Sequence, residues 1–149
     1  MKFKAQEFRA WYDQAERTLN SAKNDQLNED HNWACFKAQQ SAEFAMKAVL
    51  HGSGIPAFGH SVKILAETVA TLSSPPRFDY ECLTTLDKYY IPTRYADAFD
   101  QGSPFAYYTE RDSERALECA YAILTVIKKY VSSLDDDSLQ ENAKAGRTK

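Results

Sequence analysis

The sequence predicts an all-α fold: an antiparallel up-and-down bundle of four to five helices, with a long ordered loop before the last helix. Apolar residues recur at steps of three and four over five segments, which is the period of a helix with one buried face. No segment shows the regular alternation of a half-buried strand. The breaks between the first four segments are short, and short connections favour antiparallel neighbours in a bundle.

The first two helices surround a polar break. Phe8, Trp11 and Leu19 share one stripe and predict a helix over about residues 4 to 24. The polar stretch NDQLNEDHN follows, and it offers Asn28 and Asp30 as N-caps of a second helix. Because glycine and proline end helices, this second helix should stop near Gly52.

The remaining helices flank the long loop. The third begins at Val62 and ends before SSPPR, and the fourth begins around Asp79 and ends before Pro92. Residues 91 to about 109 contain two prolines and five aromatic residues. A connection of this length is unusual unless it packs or functions, so we expect it to be ordered. The fifth helix begins near Glu110.

The composition predicts one domain. The chain has 149 residues, of which 44% are hydrophobic, and this is enough apolar material for a single core over residues 1–131. Residues 132–149 are too polar to offset the entropy of ordering, so we expect a disordered tail. The net charge of −3 creates no field that would gather nucleic acid.

The chain also carries features of a cytoplasmic protein. It has no apolar run long enough to span a membrane and no secretory signal pattern at its start. The three cysteines, Cys35, Cys82 and Cys119, lie in predicted helices without paired spacing, which favours reduced, buried thiols. His31 and Cys35 are four residues apart, but no second pair completes a metal site, so we expect no metal and no cofactor.

The second predicted helix carries a polar stripe. Gln40, Glu43 and Lys47 fall on one stripe among bulky apolar residues. Glu43 and Lys47 could form a solvated pair, because ion pairs four residues apart are common on helices. Alternatively the stripe is the wall of a cleft, where Gln40 and Lys47 offer donors and Glu43 orients Lys47 or Arg94.

Three segments together carry a resemblance to a known family. FKAQQSAEFAMKAVL, then GHSVKIL, then LDKYYIPTRYADAF occur in an order and spacing that resemble the HEPN domain family over roughly residues 5 to 131. The resemblance implies a helical bundle that commonly dimerises. It also implies nucleotide binding, partnership with minimal nucleotidyltransferases in toxin–antitoxin pairs and, in many branches, metal-independent ribonuclease activity.

The chain departs from the ribonuclease branches of that family. Those branches carry an arginine followed after four to six residues by a histidine. The histidines here are His31, His51 and His60, and none follows an arginine at that distance. RNA cleavage by a rearranged site is therefore the disfavoured alternative, RNA is a less favoured ligand, and we assign no catalytic residue.

The candidate ligand-binding site centres on Arg94, whose planar fork of donors matches phosphate oxygens. Tyr90 or Tyr95 could stack on a base, and His60 could cap the third helix or face an anion. Two other interpretations stay open for Arg94: an internal staple to Glu43 or Asp97, and a contact with a partner protein. The predicted set is Gln40, Glu43, Lys47, His60, Tyr90, Arg94, Tyr95 and Asp97.

The sequence thus predicts a cytoplasmic homodimer that binds a nucleotide or another phosphorylated ligand without being an enzyme itself. It would act as the accessory partner of a nucleotidyltransferase. A pure dimerisation or interaction module is a further alternative, because an apolar bundle face needs a partner.

Overall fold

The computed structural model describes the backbone of residues 2–147 and the side chains of residues 2–134. The helices are α1 (Ala5–Leu27), α2 (His31–Gly52), α3 (Val62–Val69), α4 (Tyr80–Asp87) and α5 (Glu110–Arg147). Two short 3₁₀ helices, Ala96–Ala98 and Pro104–Tyr107, lie between α4 and α5. The backbone of residues 2–147 contains no strand, so the predicted all-α bundle is confirmed. None of the described helices combines the length and apolar character needed to cross a membrane.

Helix α2 is the central element of the bundle. Fourteen of its residues are buried, against four in α1, because α2 packs on α1, α5, α3 and α4. Ala38, Ala42 and Ala45 are fully buried, and their small side chains allow neighbouring helices to approach closely. The Ser41 hydroxyl donates to the Ala15 carbonyl of α1 at 2.7 Å. Several polar side chains of α2 are consequently buried, among them Gln39, Ser41 and Glu43.

Helices α3 and α4 are joined at one end by a carboxylate. Asp87, at the end of α4, accepts from the Ser61 hydroxyl at 2.7 Å and from the backbone N–H of Val62 at 2.7 Å. Ser61 itself caps α3 by accepting from the Ile64 N–H at 3.1 Å. His60 does not cap α3, so that expectation is corrected: a serine with a β-region backbone already fills the position.

A disulfide joins α4 to α5. Cys82 and Cys119 are bonded, with their Cα atoms 5.1 Å apart. The prediction of three reduced thiols is wrong for this pair, because packing of α4 on α5 brings together residues that are 37 positions apart. Cys35 is free and buried, and burial raises the pKa of its thiol to about 12.

The loop before α5 is ordered by its own aromatic residues, as predicted. Phe99 stacks on Tyr107 with ring centres 4.0 Å apart. The Phe99 ring is also nearly perpendicular to the Tyr108 ring, and their centres are 6.4 Å apart. The loop is also tied to α2, because the Asn32 amide donates to the Thr93 carbonyl at 3.1 Å. This bond is buried, so it fixes the backbone beside Arg94.

The last helix is longer than its apolar stripe. The backbone of α5 stays helical to Arg147, whereas the sequence predicts disorder from Ser132. Seven of the nine residues from 139 to 147 have good helix propensity, and that local preference does not depend on burial. The domain boundary at residue 131 stays a prediction, and the last two residues of the predicted tail lie outside the described residues.

Candidate anion-binding site

A buried carboxylate on α2 organises the first half of the site. Glu43 is only 2% exposed, and its Oε2 accepts from Lys47 Nζ at 3.2 Å. Its Oε1 lies 3.1 Å from Nδ1 of His60 and 3.3 Å from Nε2 of Gln40. Because an ionised carboxylate only accepts, Nδ1 of His60 donates in this contact, and Nε2 is left to face a ligand.

Two glutamines of α2 fix the position of the loop that carries His60. Gln39 is fully buried, and its amide donates to the His60 carbonyl at 2.7 Å. Gln40 in turn donates to Oε1 of Gln39 at 2.7 Å. The sequence did not predict a role for Gln39, because its place on the helix lies beside the polar stripe rather than on it. The only signal for it was the QQ pair within the motif on α2.

The sequence left open whether Glu43 and Lys47 form a solvated ion pair or the wall of a cleft. The ion pair forms, as the spacing predicts, but it is not solvated: the Lys47 side chain is 12% exposed. Central packing of α2, with His60 over the carboxylate, removes most of the water. A buried pair of this kind needs further hydrogen bonds to be stable, and Gln40 and His60 supply them to Glu43.

Aromatic rings hold the second half of the site, around Arg94. The guanidinium carbon lies 4.3 Å from the ring centre of Phe36, 4.6 Å from Tyr90 and 5.0 Å from Tyr95. Its Nε donates to the Tyr90 carbonyl at 2.9 Å. Cation–π contacts at these distances favour a fixed guanidinium plane.

The described contacts of Arg94 are cation–π contacts and one hydrogen bond rather than an ion pair. Within residues 2–134, neither Glu43 nor Asp97 forms an ion pair with Arg94, and no other carboxylate does. The terminal nitrogens of the guanidinium have no protein acceptor among these residues. Hydrogen-bond donors are therefore available on a partly exposed arginine.

Tyr90 joins the two halves. The His60 ring stacks on the Tyr90 ring with centres 4.7 Å apart and planes 20° from parallel, while the same Tyr90 ring contacts Arg94. Seven of the eight predicted residues thus form one connected cluster: Gln40, Glu43, Lys47, His60, Tyr90, Arg94 and Tyr95. Asp97 lies exposed on the Ala96–Ala98 turn and forms no hydrogen bond or ion pair with this cluster in the described part of the chain.

The cluster reaches the surface on its aromatic side. The His60 side chain is 55% exposed and Tyr95 is 47% exposed. In the part of the chain whose side chains are described, no group of three or more His, Cys, Asp or Glu residues could hold a metal ion. The available groups are a guanidinium, an imidazole and open aromatic rings, which can bind an oxyanion and stack on a planar group.

Comparison with known proteins identifies the family. The family model of the HEPN domain matches residues 8–130. A protein from Thermus thermophilus with a known crystal structure is 38% identical in sequence to this chain, and the two structures align with a TM-score of 0.75. The match covers 82% of this chain and 96% of that one. Among curated proteins, none matches the chain.

Two further solved structures carry the family name. A crystal structure described as an archaeal HEPN homologue is 40% identical with a TM-score of 0.69, covering 83% of this chain and 97% of that one. A HEPN domain protein from Thermotoga maritima is 30% identical with a TM-score of 0.62, covering 83% and 98%. The chain belongs to the HEPN domain family.

Proposed function

We propose that this HEPN domain binds a phosphorylated ligand, with a nucleotide as the best fit, at the cluster around Arg94. The observation that supports it most is the guanidinium, which three aromatic rings hold while only its Nε bonds to the protein among the described residues. A pre-positioned planar fork of donors loses little entropy when it binds phosphate oxygens.

We assign different roles to the residues of the cluster. Arg94 contacts the phosphate, and Nε2 of His60 adds a second donor when the imidazole is protonated. Tyr95 is exposed enough to stack on a base. Lys47 and Gln40 were predicted to contact the ligand, but both already bond to Glu43, so we assign them to positioning that carboxylate under His60.

The partner proteins belong to the same proposal. Trp33 and Ile91 are exposed apolar side chains near Arg94, and such patches are often covered by another chain. We assign this patch to a homodimer that accompanies a nucleotidyltransferase in a toxin–antitoxin pair. A cytoplasmic location is also part of the proposal, and the Cys82–Cys119 disulfide is the observation against it, since the cytosol keeps most thiols reduced.

Calorimetric titration with nucleoside mono-, di- and triphosphates tests the binding. The Arg94→Ala variant should lose measurable binding while it stays folded, with a lower melting temperature because three cation–π contacts and one hydrogen bond are removed. Arg17→Ala is the matched control, because Arg17 is exposed on α1 and should leave affinity unchanged. Unchanged affinity in Arg94→Ala, or a large loss of stability with binding intact, would contradict the proposal.

A second candidate is RNA cleavage, which one observation favours. Arg94 and His60 are far apart in sequence but contact the same Tyr90 ring. The imidazole Nε2 would accept the proton of a ribose 2′-hydroxyl as its oxygen attacks the adjacent phosphorus, and Arg94 would stabilise the charge that develops on the phosphate. The bond from phosphorus to the 5′-oxygen of the next nucleotide then breaks, that oxygen takes a proton from water, and a 2′,3′-cyclic phosphate is left. The missing arginine–histidine motif keeps this activity second to binding.

A further inference from the structure

A second surface with ligand-binding features runs between α1 and α5. Both helices pack on α2, and a groove of about 490 Å³ remains open between them. Its floor consists of buried apolar side chains, among them Tyr12, Leu19 and Leu124. We call this surface the α1–α5 groove.

The groove has a defined direction and fixed sides. The Tyr12 hydroxyl donates to the Leu124 carbonyl at 3.0 Å and so joins the two helices across the floor. At one end, the Lys23 amine lies 5.9 Å from the ring centre of Tyr121. At the other end, a cavity of about 220 Å³ reaches Phe3 and Val131, and it shares Tyr12 and Lys128 with the groove.

The length of the groove suits a helix better than a small molecule. Its α5 side runs from Tyr121 to Ser132, which is about 17 Å at a helical rise of about 1.5 Å per residue. Tyr121 is 60% exposed at one end, so most of its ring is open to an apolar contact although Lys23 lies over one part of it. An amphipathic helix of about three turns would cover this length.

The side chains around the groove carry a net positive charge, whereas the protein as a whole is negative. Lys23, Lys128 and Lys129 line the groove with Glu16, and the adjoining cavity adds Arg9 and Asp13. Four cations therefore face two anions on a chain whose net charge is −3. A local reversal of sign of this kind attracts an acidic partner and selects against a basic one.

We propose that the α1–α5 groove is the docking site of an acidic amphipathic helix from a partner protein. The apolar face of that helix lies on Tyr12, Leu19 and Tyr121, and its carboxylates face Lys23, Lys128 and Lys129. None of these residues belongs to the Arg94 cluster, so the docking site stands whether or not a nucleotide binds there.

Selection from a displayed library of helical peptides, each about 14 residues long, identifies the preferred sequence. The enriched peptides should carry Glu or Asp beside an apolar stripe. Fluorescence anisotropy of the best peptide then compares wild type with Lys128→Glu/Lys129→Glu, which should bind about tenfold more weakly. Binding should also weaken with added salt. Lys63→Glu/Lys88→Glu is the matched control, because it makes the same charge change away from the groove.

A charge exchange makes the test independent of folding defects. A peptide with Lys in place of Glu should bind Lys128→Glu/Lys129→Glu better than it binds wild type. The proposal is overturned by enriched peptides without acidic residues, or by affinity that the groove variant leaves unchanged. It is equally overturned if sedimentation shows that the variant dissociates a dimer, or if a uridine oligonucleotide rather than the peptide binds through these lysines.

Discussion

The guanidinium carbon of Arg94 lies 4.3 Å from the ring centre of Phe36, so a residue of the loop after α4 is seated on a residue of α2. Helix α2 also carries Glu43, which holds His60. The two groups that can face an anion are therefore positioned by the same helix. This arrangement makes the geometry of the site sensitive to the apolar side chains of α2 as well as to its charges.

The Phe36 ring should contribute to ligand affinity without contacting the ligand. Phe36→Leu keeps an apolar side chain but removes one cation–π contact of about 0.5–1 kcal/mol. We expect nucleotide affinity to fall by about two- to fivefold, measured by calorimetry. Phe44→Leu is the control on the same helix, where the ring contacts Trp11 instead. Equal losses in the two variants would argue against a special role for Phe36.

Removing one partner of the Glu43–Lys47 pair should lower the free energy of unfolding more than replacing both partners together. Glu43→Gln leaves a nearly buried ammonium without a counter-ion, and we expect it to lower the free energy of unfolding by about 3 kcal/mol. The double variant Glu43→Gln/Lys47→Met should recover most of that loss. Urea denaturation measures both.

The more exposed pair Arg115–Glu118 supplies the control, because its nitrogen and oxygen are 3.9 Å apart and its side chains are 43% and 63% exposed. Removing it should change stability by less than about 1 kcal/mol. A double variant at positions 43 and 47 as unstable as Glu43→Gln alone would show that the carboxylate acts through His60 rather than through Lys47.

The Cys82–Cys119 disulfide should stabilise the fold against reduction. It closes a chain loop between residues 37 positions apart, for which about 4 kcal/mol is expected. A reductant should therefore lower the free energy of unfolding of the wild type. Cys82→Ala/Cys119→Ala should show no response to the reductant. An intact mass that does not increase on reduction would show that the thiols are free.

Three tyrosines should lose their phenol protons only at unusually high pH. Burial raises the pKa of Tyr12, Tyr89 and Tyr108 to about 12. Tyrosines of the unfolded chain lose their protons near pH 10, so between about pH 10 and 12 the unfolded state binds fewer protons than the folded state. Stability should be fully present below this window and fall as the pH rises through it.

Ultraviolet absorbance of tyrosinate follows this titration. Tyr12→Phe should remove one of the late-titrating groups and leave the absorbance change at lower pH unaltered. Loss of an early-titrating group in this variant would contradict the assignment of Tyr12 as a buried phenol bonded to Leu124.

Incubation with RNA in the presence of a chelator separates binding from cleavage. We expect no cleavage by the wild type, because the arginine–histidine spacing of the ribonuclease branches is absent. Cleavage that disappears in both Arg94→Ala and His60→Ala would instead establish the second candidate function. Cleavage that survives both changes would come from a contaminant or from another site.

Much of the fold could be predicted from the sequence. The end of α2 is an example: the predicted stop near Gly52 agrees with the structure. Gly52 is also required for packing, because a Cβ atom there would collide with the Phe3 ring. The shared stripe of Gln40, Glu43 and Lys47 was likewise predictable, since it follows from the helical period alone.

The contacts between elements could not be predicted in the same way. His60 was expected to cap α3, yet Ser61 and Asp87 satisfy that helix end and free the imidazole for Glu43. Arg94 was as consistent with a staple as with a site. Cys82 and Cys119 gave no sign of pairing. Each outcome depends on which side chains reach one another after packing.

The sequence by itself determined that the chain forms a helical bundle of this family, and it placed the polar stripe on α2. Tertiary structure alone decided that Arg94 lies on Phe36 and Tyr90, that His60 bonds to Glu43, and that α4 is joined to α5. The reason is physical. Helical periodicity arises from bonds between residues four apart, whereas these contacts join segments whose meeting depends on how whole helices pack.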